Sequence, residues 1–164
     1  GASFVATNLA AAFAFDESKT ALLIDCNLRK PVLHARLGVA PARGGLTDYL
    51  ENQELGAAAI IYPTGIRRLR LVPAGEPRET SGEYFSSWPM QSLVAELRAR
   101  YPDRYLVLDA PAINGSPDAR ILSELADMVV VVARHGIDTT SAVREAVGSL
   151  DPARVAGVVF NGAP

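Results

Sequence analysis

The chain has 164 residues, 49% of them hydrophobic, with 16 Lys plus Arg against 18 Asp plus Glu, a net charge of −2 and a single cysteine, Cys26. That length fits one domain with one sizeable core. A disulfide framework within the chain and a multi-cysteine zinc site are excluded, as is bulk electrostatic binding to nucleic acid or an anionic membrane, which scales with clustered cations.

Residues 2–15 are small and apolar, lack a basic leader and are too short to cross a bilayer; they predict a buried helix. Apolar runs at 21–24, 69–72, 105–108, 128–132 and 155–160 predict strands, continuous enough to be buried on both faces. Thr80 and Glu83 have capping-box spacing before a short helical turn at Tyr84 and Phe85. Trp88-Pro89 predicts a helix start, and Met90, Leu93, Val94 and Leu97 continue it at i, i+3, i+4, i+7, with Glu96 and Arg100 placed to pair on its wet side. Val143, Ala146, Val147 and Leu150 repeat the pattern, with Pro152 as a stop. Strands alternating with helices predict one layered α/β domain over 1–164, a mainly parallel central sheet flanked by helices.

In such sheets ligands gather outside the carboxyl ends of the strands. The first run ends in Asp25-Cys26-Asn27-Leu28-Arg29-Lys30-Pro31 and the third in Asp109-Ala110-Pro111-Ala112. Acids at the tips of two parallel strands suit Mg²⁺ beside phosphates; Asp also simply ends strands and starts turns, and the residues leave both readings open. His34 and His135 have no Cys or carboxylate at ligand spacing and are not read as a metal site. Cys26 reads as a packing residue with no base nearby, and Arg67, Arg68 and Arg70 as a wet face. Arg134 either lines the ligand edge or solvates a strand end, with solvation favoured. A reducing, cytosolic compartment is expected.

Gly1-Ala2-Ser3-Phe4-Val5-Ala6-Thr7-Asn8-Leu9-Ala10 resembles the end of a P-loop and the helix after it in the deviant Walker ATPases related to MinD and ParA, with Ala2 at the lysine position. The stretch 22–34, Leu-Leu-Ile-Asp-Cys-Asn-Leu-Arg-Lys-Pro-Val-Leu-His, resembles the second Walker motif of one branch, the bacterial tyrosine autokinases of capsule and exopolysaccharide synthesis. Gly-Leu-Thr-Asp-Tyr-Leu at 45–50, Leu-Val-Pro-Ala-Gly at 71–75, the Walker B-like 105–119, and the last two strands at 126–134 and 157–161 follow in the family's order, so the likeness covers nearly the whole chain.

That resemblance implies a P-loop NTPase-like fold. It places Gly1, Ala2, Ser3, Arg29 and Asn161 at a nucleotide, Asn161 near the adenine unless Asn161-Gly162 is an ordinary turn. Ser3, Asp25 and Asp109 would surround Mg²⁺ where it is bound, and Asp25, Asn27 and Asp109 hold the catalytic positions. Departures are specific: Ala2 has no charge, Asn27 replaces an acid, and Ala110 and Ala112 replace a Thr and a Pro. One charge-assisted hydrogen bond contributes roughly 1.5–3 kcal/mol, and phosphoryl transfer rests on such electrostatics. Catalysis is therefore expected to suffer more than binding, which makes the catalytic positions vestigial. No cofactor is expected beyond Mg²⁺ and ATP or ADP, and those only where nucleotide binding survives.

The expectation is a pseudo-enzyme: a cytoplasmic accessory or scaffold in exopolysaccharide or capsule synthesis and export. It would sit at the inner membrane through a membrane-embedded chain-length regulator, with no nucleic-acid partner and no membrane insertion of its own, and with a homo-oligomer left open. One rival is an active ATPase or autokinase whose phosphate lysine lies elsewhere or was engineered to Ala2, against which Asn27 stands as a second, independent departure. The other is a partitioning or division-site ATPase, disfavoured by Leu28-Arg29-Lys30-Pro31 and the Pro-Ala-Gly at 73–75. The family's first strand and glycine-rich turn are expected upstream of Gly1. No tyrosine cluster follows Asn161; Tyr49, Tyr62, Tyr84, Tyr101 and Tyr105 all fall in predicted elements, so a chain ending at Pro164 is expected to lack an autophosphorylation tail.

Overall fold

The computed structural model describes residues 1–114 and 117–163. Its elements in chain order are α1 (Ala2–Phe15), β1 (Thr20–Asp25), α2 (Leu33–Arg36), α3 (Leu46–Glu51), 3-10 turns at Gln53–Leu55 and Ala57–Ile60, β2 (Tyr62–Pro63), β3 (Leu69–Val72), α4 (Gly82–Ser86), α5 (Trp88–Arg100), β4 (Arg104–Asp109), α6 (Asp118–Leu125), β5 (Val129–Arg134), α7 (Thr140–Gly148) and β6 (Val155–Asn161). No helix among the described residues is long and apolar enough to cross a membrane.

β1 is the central strand, parallel to β3 on one side and β4 on the other, and β2 adds a short antiparallel edge beyond β3. Every β1 residue after Thr20 is buried, which explains an apolar run with no polar alternation. Side chains of a strand alternate between faces. Leu22 and Ile24 join Val72 against Phe85, Met90, Leu93, Leu97 and Leu122 on the α4–α5–α6 side. Ala21 and Leu23 join Leu69 and Leu71 against Ala10 and Ala14 of α1 and Leu33 of α2. The result is the expected layered arrangement, helices on both faces of a parallel sheet. α5 starts where its sequence predicts, with Pro89 in the first turn, and Arg100 pairs with Glu96 at 3.0 Å as expected; Ser87 caps it, its Oγ accepting from Met90 N–H at 3.3 Å.

Other features depart from the sequence expectation. The parallel sheet comes in two pieces, the four strands around β1 and a separate β5–β6 pair, and α1 packs across β1, β4 and β5. Strands expected to be buried on both faces are open there: Val130 is 40% and Phe160 60% exposed. Thr80 caps nothing. Ser81 takes the N-cap position of α4, and its hydroxyl donates instead to the buried carboxylate of Asp118 at the start of α6. α7 ends at Gly148, before Leu150 and Pro152. Tyr101 lies just past α5, where the Arg104 guanidinium sits 3.8 Å from its ring centroid; the other tyrosines fall within helices or strands.

The loops at the carboxyl ends are fastened together by backbone contacts. The first turn of α3 donates from Leu46 N–H to Pro73 O at 2.8 Å and from Thr47 N–H to Ala74 O at 2.9 Å, and Asp48 Oδ2 accepts from Gly45 N–H at 2.7 Å. This approach requires glycine, because a Cβ on Gly45 would collide with Pro73 O and Gly75 N. Gly45→Ala is therefore expected to lower stability by about 1–3 kcal/mol. Gly65→Ala, whose Cβ would meet nothing within 4 Å, is expected to stay within about 0.5 kcal/mol. Urea denaturation midpoints of the two variants check the contrast; equal losses would contradict it.

Candidate functional site

β1 and β4 pair in register from Thr20↔Arg104 to Asp25↔Asp109, so two acids stand side by side at the carboxyl ends of neighbouring strands, which lie roughly 4.8 Å apart. Asp25 has no measurable exposure and Asp109 only 1%. Their surroundings differ. Asp25 Oδ1 accepts from Asn27 N–H at 3.1 Å and Oδ2 from Leu33 N–H at 3.2 Å. Burial still raises its pKa against those bonds.

Among the described residues neither oxygen of Asp109 has a hydrogen bond of good geometry, the Ser3 hydroxyl being the nearby donor that acts on it. Burial pushes its pKa up to about 6; the nearby Ser3 hydroxyl restrains the rise, Asp25 adds to it, and the Arg36 guanidinium opposes it. A buried carboxylate without partners costs far more than one that is bonded. Asp109 is thus built to receive a donor or a cation that the fold itself does not supply.

Ser3 lies in the first turn of α1, whose N-cap Gly1 offers no side-chain cap and whose first turn carries no acid. A 14-residue helix brings uncapped N–H groups and the positive end of its dipole to this edge, an arrangement that favours anions. Asn161 closes β6 beside it: its amide nitrogen is 2.8 Å from where a Cβ on Gly1 would sit. Gly162 follows at φ +80°, so Asn161 belongs to a turn and to the site edge at once.

The structure therefore gathers Gly1, Ala2, Ser3, Asp25, Asp109 and Asn161 at one edge, with Asn27 two residues past Asp25 and half-buried. Arg29 is not drawn in; it is exposed and makes no side-chain bond or ion pair among the described residues. Arg134 is turned to Asp138 at 2.9 Å, a partner that binds it to its own loop. Cys26 packs in the core, its thiol pushed up by burial. α2, which Asp25 Oδ2 holds through the Leu33 N–H, was missed by the sequence reading; four residues are too short a pattern to announce a helix.

Two strand-end carboxylates, one with both oxygens free, and an adjacent hydroxyl are the donor set Mg²⁺ takes beside phosphate oxygens. Ser3 and Asp109 would hold such an ion directly, with Asp25 beside them. Bound there, it would neutralise charge on a phosphate chain.

No family model matches the chain. Over 98% of its length it is 32% identical to the tyrosine-protein kinase wzc of Salmonella typhimurium, and over 98% it is 33% identical to the succinoglycan biosynthesis transport protein ExoP of Rhizobium meliloti. It spans about a fifth of the length of these curated relatives, 22% and 20%. Among solved structures, the kinase domain of VpsO superposes with a TM-score of 0.85 at 30% identity, covering 99% of this chain and 78% of that one. The Pyrococcus furiosus cell division ATPase MinD superposes at 0.76 with 22% identity over 98% of this chain and 66% of that one, a likeness of fold.

Because Asp109 titrates near 6 when folded, against an ordinary 3.8, the folded chain holds more protons than the unfolded one between about pH 4 and 6. Stability contributed by the neutral acid is lost as pH rises through that window. In metal-free buffer, Asp109→Asn is expected to exceed the parent by about 1–3 kcal/mol at pH 7 and to match it near pH 4. Denaturation at both pH values measures this, and a variant no more stable than the parent at pH 7 would contradict the assignment of Asp109 as an unpartnered buried acid.

Proposed function

The chain belongs to the bacterial tyrosine-protein kinase family, and from that premise we propose that it is a kinase-like protein with impaired phosphotransfer, serving as an accessory or scaffold in exopolysaccharide or capsule synthesis and export. The observation that carries the reading is Ala2 in the first turn of α1, next to Ser3 and the free oxygens of Asp109. There the family pattern has a lysine. An ammonium at that place grips phosphate oxygens and neutralises charge that grows in the transition state, a contribution worth about 10²–10³ in rate at comparable sites. A methyl group does neither.

Asn27 removes a second group. Its amide accepts and donates hydrogen bonds but carries no charge with which to take a proton or hold a cation strongly. Ser3, Asp25 and Asp109 keep the metal-side chemistry, which supports surviving, weakened binding of Mg²⁺ with ATP or ADP. Gly1 and Asn161 would flank the nucleotide, while Arg29, exposed and unpaired, would reach it only by moving. The same retained set favours the second reading, an active ATPase or autokinase whose cation comes from elsewhere.

By the same family logic the protein works in the cytoplasm at the inner membrane, docked on a membrane-embedded polysaccharide chain-length regulator, with self-association as a further mode. Residues 1–164 form one P-loop-like domain in this reading. A further strand would complete it between β4 and β5, which carry no common strand partner among the described residues and both pack against α1.

ATP hydrolysis and autophosphorylation with Mg²⁺ test the proposal on the protein itself and on Ala2→Lys and Ala2→Lys/Asn27→Asp. The parent is expected to turn over at least about 10²-fold more slowly than the double variant. Robust hydrolysis by the parent would defeat the impaired-kinase reading.

A further inference from the structure

The loop that follows Asp25 is fastened at Leu28. The Leu28 side chain is buried in the core, and its carbonyl accepts the N–H of Arg78 at 3.0 Å. Asn27 and Arg29 stand on either side of that residue, so where Leu28 is held decides where both of them begin. Asn27 is tied in turn to Asp25, its N–H donating to Oδ1 at 3.1 Å.

The peptide unit that donates this bond is held by the side chain of Arg78 itself. Its Nη1 donates at 3.1 Å to Pro77 O, the oxygen of the same unit whose N–H reaches Leu28. A trans peptide is rigid and planar, with its oxygen and hydrogen on opposite sides, so a guanidinium on the oxygen aims the hydrogen. The same contact polarises the unit and strengthens the N–H as a donor. Glu51, the last residue of α3, and Tyr84 of α4 keep the guanidinium in place. Nε and Nη2 donate to Glu51 Oε1 at 3.0 and 2.8 Å, Nε also donates to Tyr84 Oη at 3.2 Å, and Tyr84 Oη donates to the same Glu51 oxygen at 2.6 Å. With 33% and 44% of the two charged side chains in water, the ion pair adds little to stability. Its forked geometry fixes direction instead.

We propose that Arg78 is a positioning residue for the nucleotide edge: clasped by Glu51 and Tyr84, it orients the 77–78 peptide onto Leu28 O and thereby fixes the segment that carries Asn27 and Arg29. Its bearing on ligand rests on the reading of this edge as a nucleotide site; the clasp stands on its own hydrogen bonds. Arg78 touches no phosphate, because its guanidinium is already engaged by Glu51, Tyr84 and Pro77 O. It acts through the backbone, by ordering the loop before a ligand arrives, which lowers the entropy lost on binding.

Amide hydrogen exchange of the full chain, free of ligand, and calorimetry with Mg·ATP test the assignment. Arg78→Ala is expected to speed exchange of the amides of Asn27 and position 78 at least about ten-fold, while Leu23 of β1 and Leu97 of α5 stay within about twofold of the parent. Mg·ATP is expected to bind about three- to ten-fold more weakly. Arg78→Lys keeps the charge beside Glu51 but has no fork to reach Pro77 O as well, so it should leave most of the faster exchange in place. Arg98→Ala, which breaks the remote pair with Asp127, should leave both readouts at the parent value. Parent-like exchange at Asn27 in a folded Arg78→Ala would overturn the clasp, and full protection in Arg78→Lys would overturn the role of the fork. Faster exchange with unchanged Mg·ATP affinity would overturn its bearing on the nucleotide edge. A parent that binds no Mg·ATP would overturn that bearing together with the nucleotide reading, with the exchange contrast still upholding or sinking the clasp. Fast ATP turnover by the parent would sink the impaired-kinase reading alone.

Discussion

The in-register pairing of β1 with β4 is the constraint from which the site follows. It sets Asp25 and Asp109 beside one another, both buried, at the carboxyl ends of the strand pair, and like charges at that separation resist joint ionisation. A protein selected for stability alone would not keep this arrangement, because an uncompensated buried acid destabilises the fold wherever it is charged. Function is the usual reason such strain persists.

The two acids divide the labour. Asp25 is committed to the scaffold: the N–H groups of Asn27 and Leu33 saturate one face of each oxygen and tie the loop 26–32 and α2 to the sheet. Asp109 is uncommitted, with both oxygens open. That asymmetry makes Asp25 chiefly a positioning group and Asp109 the group that meets whatever enters.

The fold was legible where one physical rule dominates. A strand with both faces buried has little choice but to be apolar throughout, so β1 stands out in the sequence; α5 combines periodicity, Pro89 in its first turn and an i, i+4 ion pair that agree. Asp25 and Asp109 were legible because a charged residue closes an apolar run. Tertiary partners decided the rest. Ser81 rather than Thr80 heads α4 because its hydroxyl can reach Asp118, a residue 37 positions on, and no local pattern announces that. α2 is only Leu33–Arg36, held by the Leu33 N–H bond to Asp25 and one buried leucine, so no local pattern announced it. The break between β4 and β5 was equally hidden, since both strands read as buried runs whatever lies between them.

Charge balance binds the two departures from the family pattern together. Replacing a lysine by Ala2 removes one positive charge, and replacing an acid by Asn27 removes one negative charge, so the formal charge around Asp25 and Asp109 is unchanged by the pair. Either loss alone would shift it by a full unit in a region where burial already holds Asp109 near 6 and where Coulomb terms are weakly screened. With the lysine alone absent, an acid at position 27 would add negative charge close in sequence to Asp25 with less opposing charge, and the edge would become harder to fold and harder for a phosphate to approach. If both departures are losses, as proposed, their coupling keeps a polyanion admissible while removing two groups that would drive its chemistry. On the proposed reading, losing charges in a neutral pair leaves the edge foldable and open to a polyanion even where turnover is impaired.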